Sequence, residues 1–419
     1  MNNRLFLYSG LFLVLILLYD AWHNKNQPTT VVQNNMPETN SDYIPDDRPS
    51  KQNPDANLSG APDTSSIATS DAITVTTDSL EVMISLLDGS IISAKLLQYP
   101  EVFGTNERKV QLLDSTTEHY IAKIGLQSKN LAQPKKYISR LKSYSMGNND
   151  TIEVVLKGKS DTSTEIIKTY RFKKTGHLIN ISQQVKNLSN QDADWRQYYS
   201  LERGDELNSS GLLYTYTGAA FYDEEDKFSK IAFSDIQDQN FLKVTQNSWI
   251  SMIEHYFFTA WLPINNSSNT QTIYTRLMNN GRSNSYLIGS VGNYKTVKPM
   301  SDFTFGSRLY VGPKNQSEIK DLAPGLDLTV DYGVLTFLAA PLFWILDKIF
   351  YVLGNWGWSI IALTFLIKLI FFRLSETSYK SMAKMKKLTP RMTALKERYG
   401  DDRKKFSEAL MKIYKEEKV

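Results

Sequence analysis

A single lysine, Lys368, lies inside an apolar run that is about long enough to cross a lipid bilayer. A charge at that depth is costly, and such residues commonly mark the path of a polar substrate. Gly357, Ile361 and Thr364 precede Lys368 at spacings that place all four residues on one face of a helix. This face combines a small residue, a hydroxyl group and a cation. It predicts a polar stripe that faces a hydrated cavity.

The same position of Lys368 has a simpler interpretation. If the span covers residues 356–372, it is roughly 25 Å long, and Lys368 lies roughly 6 Å from its inner end. A lysine at that depth can extend its ammonium group to the membrane interface and need not have a further role. Position alone leaves both interpretations open, and the polar stripe favours the cavity.

Residue types that commonly carry catalysis or bind metals are sparse in this chain. It contains no cysteine, which excludes disulfides, thiolate metal sites and cysteine nucleophiles. Its four histidines, His23, His119, His177 and His255, are too far apart in sequence to form a metal-binding motif. We therefore predict no metal, no cofactor and no catalytic residue, and a protein that is not an enzyme.

Three short patterns could suggest chemistry but are better explained otherwise. Gly158-Lys159-Ser160 resembles the end of a phosphate-binding loop, but Glu153 stands where that loop requires a glycine. The acidic residues 223–226 are interpreted as a solvated loop tip. His255, within the aromatic segment 249–258, is interpreted as a structural residue of one strand.

The large middle part of the chain has the pattern of a β domain. Short runs rich in β-branched and aromatic residues occur at 80–86, 152–156, 166–172 and 178–182, with turn-forming residues between them. They predict an antiparallel β-sandwich over residues 73–310, within a domain that extends to residue 330.

The N-terminal residues predict a membrane anchor followed by a tether. Residues 5–19 are apolar, follow Arg4, and reach the lower limit of a spanning helix with the next few residues. A cleaved signal peptide is the alternative, but residues 19–23 fit a cleavage site poorly. We therefore predict a signal-anchor helix at 1–22 and a disordered linker at 23–72, which is rich in polar residues and proline.

The C-terminal part contains two apolar runs, residues 332–354 and 356–374, followed by a basic tail. From residue 373 onward there are fourteen Lys and Arg residues against seven Asp and Glu residues. Positively charged segments close to a span tend to stay in the cytoplasm, so only one of the two runs should cross. The first run contains Pro341 and the charged pair Asp347-Lys348. We predict an interfacial amphipathic helix at 331–354 and a transmembrane helix at 355–374.

The tail has the pattern of two packed helices, predicted as a cytoplasmic hairpin over residues 375–419. Apolar residues recur at spacings of three and four between Met385 and Tyr399, as in a coiled-coil seam. Thr389-Pro390 predicts a helix restart, Gly400 a helix end, and Asp401 or Asp402 the next cap. The basic residues Lys384, Lys386, Lys387 and Arg391 could contact anionic lipid, ribosomal RNA or a partner protein. A solvated basic face is the alternative.

Several stretches resemble the YidC membrane protein insertase family of Gram-negative inner membranes. They are residues 249–263 (WISMIEHYFFTAWLP), 309–314 (LYVGPK), 326–333 (LDLTVDYG), 354–361 (GNWGWSII), 381–385 (SMAKM) and 414–419 (YKEEKV). The resemblance covers essentially the whole chain.

The resemblance implies a mainly β periplasmic domain, a galactose-mutarotase-like β-super-sandwich, together with α-helical membrane segments and the cytoplasmic hairpin. It also implies a hydrophilic groove open to cytoplasm and lipid, with Lys368 as its positive residue and Thr364 in its lining. Expected partners are nascent inner-membrane proteins, the Sec translocon with its SecDF accessory, the ribosome and anionic lipids, but no DNA. The expected location is the bacterial inner membrane.

Two further expectations follow. Family members continue past the hairpin with three more spans, so the chain is expected to be an incomplete form in which the groove lacks walls. The alternative function is a membrane-anchored carbohydrate-binding or mutarotase-like module. That function would require a histidine and an acid that converge in one cleft.

Overall fold

The structure is a computed structural model. It describes residues 71–102, 104, 108–129, 131, 133–160, 163–204, 216–264, 270–279, 284–330, 336–399 and 403–416. The predicted signal anchor and nearly all of the predicted linker lie outside these residues. The described chain forms two compact units, a β domain that ends at Val330 and a helical unit that follows it.

The described part of the β domain contains twenty strands. They are β1 (Ala72–Thr76), β2 (Leu80–Ser85), β3 (Ile91–Pro100), β4 (Lys109–Asp114), β5 (Ile121–Ser128), β6 (Ile138–Ser139), β7 (Ser143–Ser145), β8 (Thr151–Ser160), β9 (Thr164–Lys173), β10 (Leu178–Asn187), β11 (Ala193–Gly204), β12 (Gly218–Asp223), β13 (Lys227–Ile231), β14 (Leu242–Gln246), β15 (Trp249–Ile253), β16 (Phe257–Leu262), β17 (Thr270–Asn279), β18 (Asn284–Gly292), β19 (Lys295–Val297) and β20 (Asp302–Pro313).

Five α-helices occur among the described residues. They are α1 (Phe233–Asp238) and α2 (Gln316–Ile319) in the β domain, and α3 (Thr336–Leu353), α4 (Trp356–Tyr399) and α5 (Arg403–Glu416) in the helical unit. A short 3-10 helix, Leu326–Thr329, follows α2.

The strands form two large sheets. One has the order β14-β17-β18-β11-β5-β3-β2-β1-β7, with β19 paired to β11 and β4 paired to β3. The other has the order β13-β12-β15-β16-β20-β10-β9-β8-β6. Almost all neighbours are antiparallel, and the pair β1–β7 is parallel.

Period-two alternation explains how the two sheets pack. In β9 and β10 buried and half-buried residues alternate, as expected for strands with one face against a core. The core between the sheets contains fully buried aromatic residues such as Trp195, Trp261 and Tyr170. The predicted mainly β sandwich is therefore confirmed as the fold class.

The C-terminal end of the β domain covers the outer face of the second sheet. Ile319, Ala323 and Leu326 pack into a second apolar cluster that includes Trp249 and Tyr310. The indole Nε1 of Trp249 also donates a hydrogen bond to the Pro324 carbonyl at 2.9 Å. This segment is fixed on the sheet before the chain enters the helical unit.

The described helical unit differs from the sequence prediction at Thr389-Pro390. Helix α4 runs without interruption from the apolar run through Thr389-Pro390 to Tyr399, so Thr389 is not an N-cap. A proline inside a helix removes one backbone hydrogen bond, and the strong helix formers around it offset that loss. Leu388, two residues before the proline, is 4% exposed, and a break in the helix there would disrupt its packing.

One expectation in the β domain was also wrong, and another holds only in part. The aromatic segment 249–258 is two strands, β15 and β16, and the exposed His255 lies in the turn between them. The acidic loop tip is only partly solvated, because Asp223 is buried and its Oδ2 lies 2.6 Å from the Lys243 ammonium. Lys243 also lies close to Glu225 and Asp226, so its one positive charge offsets part of the negative charge of the cluster. The described residues contain no group of side chains that could hold a metal ion.

Candidate functional site

The start of α4 is fixed by a two-residue connection from α3. Gly354 adopts a left-handed conformation with φ of 63°, which suits glycine at the end of a helix. The Asn355 side chain accepts a hydrogen bond from the backbone N–H of Trp358 at 3.2 Å. The rings of Phe350 and Trp356 stack across the connection with centroids 4.0 Å apart. These contacts hold the first turn of α4 against the end of α3.

One face of α4 is packed within the protein. Ser359 is fully buried, and its hydroxyl donates to the Asn355 carbonyl at 2.7 Å. Ala362, Leu363 and Ile367 are half-buried on the same side of the helix. This face was not identified from the sequence, because a serine in an apolar run gives no indication of which side it occupies.

The predicted polar stripe lies on the opposite face. At about 100° per residue, Gly357, Ile361, Thr364 and Lys368 all point away from the packed face. All four are exposed, and Ile361 is 59% exposed. The structure thus brings the four predicted residues onto one open side of the helix.

The two polar members of the stripe differ in their contacts. The Thr364 hydroxyl donates to the Ile360 carbonyl at 2.7 Å, so it is satisfied inside the helix. No hydrogen bond or ion pair joins the Lys368 ammonium to any of the described residues. Lys368 therefore presents a cation that is available to an outside group, whether a substrate, a lipid headgroup or water.

Helix α4 is also the one candidate membrane span among the described helices. It alone is long and apolar enough to cross a bilayer. Helix α3 is apolar as well but contains Asp347 and Lys348 on an exposed side, and Lys348 lies over the ring of Trp344. The prediction that one of the two apolar runs crosses agrees with this finding.

Beyond the apolar part, α4 and α5 pack as a helical pair. The predicted seam is buried at Leu388 and half-buried at Met392, Leu395 and Tyr399, whereas Met385 is exposed. The Tyr414 hydroxyl of α5 lies 3.9 Å from the Met392 sulfur. The predicted basic residues Lys384, Lys386, Lys387 and Arg391 are exposed on α4. They form a basic surface on the outside of the pair.

The β domain contains two histidine–carboxylate pairs, which bear on the alternative function. His119 Nε2 lies 2.9 Å from Glu202 Oε1, and His177 Nδ1 lies 3.0 Å from Glu318 Oε1. A mutarotase-like site would be excluded if no histidine contacted a carboxylate. Two histidines do so, and the alternative function is not excluded on this ground. Neither pair lines the cavities of about 460, 450 and 270 Å³ found around the described residues.

The Glu202 carboxylate is held in its charged form by several neighbours. Burial alone would raise the pKa of Glu202, but the hydrogen bond from His119 and the nearby Lys123 ammonium outweigh burial and lower the pKa to about 2. Ser285 donates a further hydrogen bond at 2.9 Å. This group was missed in the sequence because His119 and Glu202 are 83 residues apart.

Comparison with known proteins gives the family. Residues 72–345 match the YidC periplasmic domain, and residues 348–419 match the 60Kd inner membrane protein family. The chain belongs to the YidC family of membrane protein insertases. A YidC from Thioalkalivibrio sulfidiphilus is 37% identical over 100% of this chain and 77% of that protein. YidC from Azotobacter vinelandii is 36% identical, again over 100% of this chain and 77% of the relative.

The relatives are named insertases rather than enzymes, and the YidC family is an inner-membrane family. Among solved structures, a galactose mutarotase-like protein from Lactobacillus casei covers 58% of this chain and 99% of its own, at 9% identity and a TM-score of 0.38. A galactose mutarotase-like protein from Clostridium acetobutylicum covers 59% of this chain and 97% of its own, at 12% identity and a TM-score of 0.38.

Proposed function

We propose that this YidC chain inserts nascent proteins into the inner membrane by lowering the cost of moving their hydrophilic segments part-way across. The observation that carries this proposal is the exposed Lys368 on the stripe of α4, opposite the packed face and without an ion pair among the described residues. A cation on a hydrated helix face attracts acidic residues of a translocated segment. Hydration also spares the ammonium group the penalty of burial without a partner.

The chemistry is non-covalent. Substrate would enter along the stripe formed by Gly357, Ile361, Thr364 and Lys368, while its apolar flank moves into lipid. The satisfied Thr364 hydroxyl contributes polarity without an open hydrogen-bonding group that would trap the substrate. Gly357 removes side-chain bulk at the outer end of the stripe.

The topology that fits this mechanism has the β domain in the periplasm and the α4–α5 pair in the cytoplasm. The basic tail supports it, because positive charge near a span stays inside. Helix α3 would lie along the outer interface, with Asp347 and Lys348 toward water. The predicted anchor at residues 1–22 would add a second span and make the chain multi-pass.

The exposed basic surface of the helical pair is suited to anionic partners. Lys386 and Lys387 are exposed and have no ion pair among the described residues. We infer that this surface contacts the ribosome or anionic lipid while a nascent chain is delivered. Contact with the Sec translocon and SecDF is assigned to the β domain, which would share their side of the membrane.

A mutarotase-like function is the second candidate, and one observation favours it. His119 is 39% exposed, has a left-handed backbone with φ of 48°, and is oriented by the buried Glu202 carboxylate. Polarimetry on galactose with the purified chain tests it. Accelerated mutarotation that is lost in Glu202→Gln would support that function, and an unchanged rate would exclude it.

The insertase proposal is tested in cells depleted of their own insertase. Expression of the full-length gene should restore insertion of a single-span protein, scored by protease protection of its translocated tail. Insertion no better than with an empty vector would refute the proposal.

The topology has a separate test, because the chain contains no cysteine. A cysteine introduced at the exposed Asn190 should react with an impermeant maleimide added outside spheroplasts. A cysteine at the exposed Ser378 should react only after lysis. The reverse pattern would overturn the proposed orientation.

A further inference from the structure

One side of the β domain carries a basic strip that bridges the two sheets. Strand β6 lies at the edge of the second sheet and β7 at the edge of the first, and residues 140–142 connect them. Six exposed cations lie along this side, and they are Lys135, Lys136, Arg140, Lys142, Lys157 and Lys159. Residues 135–142 together with Lys157 and Lys159 are called the basic strip below.

The strip is held in a defined position by contacts with the sheets. Ile138 pairs with Lys157 of β8 in antiparallel register, so their side chains project from the same face of the second sheet. The Tyr144 hydroxyl of β7 lies 2.8 Å from the Ser139 hydroxyl and accepts a hydrogen bond from the Leu141 N–H at 3.3 Å. The strip is therefore fastened to both sheets.

Two large apolar side chains project from the strip. Ile138 is 73% exposed and Leu141 is 52% exposed. Lysines on edge strands commonly serve to prevent pairing with another chain, but that role does not account for exposed Ile and Leu side chains between them. Apolar side chains flanked by Lys and Arg are instead the combination found in segments that lie on a membrane interface.

The positive charge of the strip is largely uncompensated. Lys136 pairs with Asp71 at 2.7 Å, and the other five cations have no ion pair among the described residues. Burial and, to a smaller extent, the charge of Asp88 raise the pKa of Tyr137, which lies within the strip. The Asp88 carboxylate is already hydrogen-bonded to the Ser90 hydroxyl at 2.6 Å. The strip therefore keeps an excess of positive charge that is complementary to an anionic surface.

The tether of the β domain favours a membrane as that anionic surface. Only five residues, 331–335, separate the β domain from helix α3, which is expected at the membrane interface. A short tether gives the β domain a high effective concentration at the lipid surface. An acidic protein would match the charge of the strip, but it would not account for the two projecting apolar side chains as well as lipid does.

We propose that the basic strip binds anionic phospholipid headgroups of the membrane that anchors the chain, with Ile138 and Leu141 at the interface. Each Lys or Arg close to an anionic surface strengthens such binding by about fivefold, and the strip presents several. This contact goes beyond the insertase function, because it concerns how the β domain engages lipid and not how a substrate is inserted.

The full chain in lipid nanodiscs tests the contact directly. Because the chain contains no cysteine, Ile138→Cys can be labelled with an environment-sensitive fluorophore as its one label site. We expect blue-shifted emission, and quenching by a headgroup-labelled quencher lipid about fivefold stronger, in discs that contain phosphatidylglycerol than in discs of phosphatidylcholine alone. About 1 M salt should reverse both changes, because it shortens the Debye length to about 3 Å. Equal emission and quenching in the two kinds of disc would overturn the proposal.

A second label position is the matched control. Ser234 is exposed on α1, which follows β13 at the opposite edge of the second sheet. The label on Ser234→Cys should give the same emission in both kinds of disc. An equal response of the two labels would show that the whole domain, and not the strip, senses the lipid, and it would refute the assignment.

Charge reversal tests the cations of the strip. One variant replaces three of them, Lys135→Glu, Arg140→Glu and Lys142→Glu. The control replaces three exposed lysines elsewhere in the β domain, Lys295→Glu, Lys298→Glu and Lys320→Glu. The strip variant should lower the phosphatidylglycerol-dependent quenching about tenfold, whereas the control, with the same change in net charge, should retain it. Equal loss in the two variants would refute the strip as the binding surface. All six positions are exposed, and equal circular dichroism spectra confirm that both variants fold.

Cross-linking in cells distinguishes lipid from protein. A photoreactive residue at Leu141 in the full-length protein should cross-link to phospholipid. Cross-links to another protein alone would overturn the inference in favour of an acidic partner. Neither the nanodisc assay nor the cross-link requires insertion of a substrate, so failure of the lipid contact and failure of the insertase function are distinguishable.

Discussion

A buried lysine in the β domain gives a prediction with a defined sign. Lys168 is 1% exposed, and its ammonium group donates to the Asp88 carbonyl at 2.5 Å and the Ile124 carbonyl at 2.7 Å. It reaches these carbonyls from β9 at the place where β3 and β5 pair only through Ile91 and Ala122. Lys168 thus satisfies main-chain groups that the first sheet leaves open.

Burial lowers the pKa of Lys168 from 10.5 to about 8, although the Asp88 charge opposes the change. Between pH 8 and 10.5 the unfolded chain binds more protons than the folded chain, so stability rises with pH in this window. The whole change in pKa corresponds to about 3 kcal/mol in the free energy of unfolding. About 2 kcal/mol of this should be gained by pH 9.5. Buried tyrosines act in the opposite direction only above pH 10, because burial raises the pKa of residues such as Tyr199.

The assay is urea unfolding of the chain and of Lys168→Met at pH 7.0, 8.0, 9.0 and 9.5. The fluorescence of the buried Trp195, Trp249 and Trp261 reports on unfolding of the β domain. The free energy of unfolding of the unmodified chain should rise by about 2 kcal/mol relative to the variant across this range. A constant difference between the two proteins would refute the argument that burial lowers the pKa of Lys168.

Three further predictions concern other parts of the fold. Because the pKa of Glu202 falls from 4.5 to about 2 on folding, about 3 kcal/mol of stability present above pH 4.5 should be lost as pH falls toward 2. Acid unfolding that is unchanged in Glu202→Gln would contradict this. Gly89→Ala should destabilise by about 2–4 kcal/mol in urea, since φ is 80° and a Cβ would lie 2.7 Å from a buried tyrosine oxygen. Gly104→Ala, at a similar φ but in open space, should lower the free energy of unfolding by only about 1 kcal/mol. Equal destabilisation by Gly89→Ala and Gly104→Ala would refute the steric argument. Pro390→Ala should stabilise the α4–α5 pair by up to about 3 kcal/mol, and Leu388→Ala should destabilise it by about 2–4 kcal/mol, both followed by thermal loss of helicity. A lower melting temperature for Pro390→Ala would mean that the helix is broken there.

Local patterns of sequence predicted most of the secondary structure. The runs at 80–86, 152–156, 166–172 and 178–182 coincide with β2, β8, β9 and β10, because alternating burial leaves a direct trace in residue type. The proline in α4 was misread because proline at the first turn and proline inside a helix look alike in sequence. Only the packing of the residues around it decides between them.

The polar groups in the core could not be predicted. In β9 the inward positions are Ile166, Lys168, Tyr170 and Phe172, and a lysine in that series would ordinarily be assigned to the solvent side. Its burial depends on open carbonyl groups in another sheet, which only the pairing of distant strands creates.

The predicted site residues share one helix, which is why their common face could be derived from spacing alone. Which face of α4 is packed could not be derived, because it depends on the neighbour that buries Ser359. The exposure of Lys368 fits both an insertion groove and an ammonium group that extends to the interface.

The most direct test of the insertase account is therefore substitution of Lys368. Lys368→Arg, Lys368→Ala and Lys368→Glu should be compared for insertion of a single-span protein with an acidic translocated tail, with Arg373→Ala as the control near the end of the span. The account predicts that Arg supports insertion, Ala impairs it, Glu impairs it most, and the control has little effect. Equal insertion by all three Lys368 variants would contradict a role for this cation in the groove.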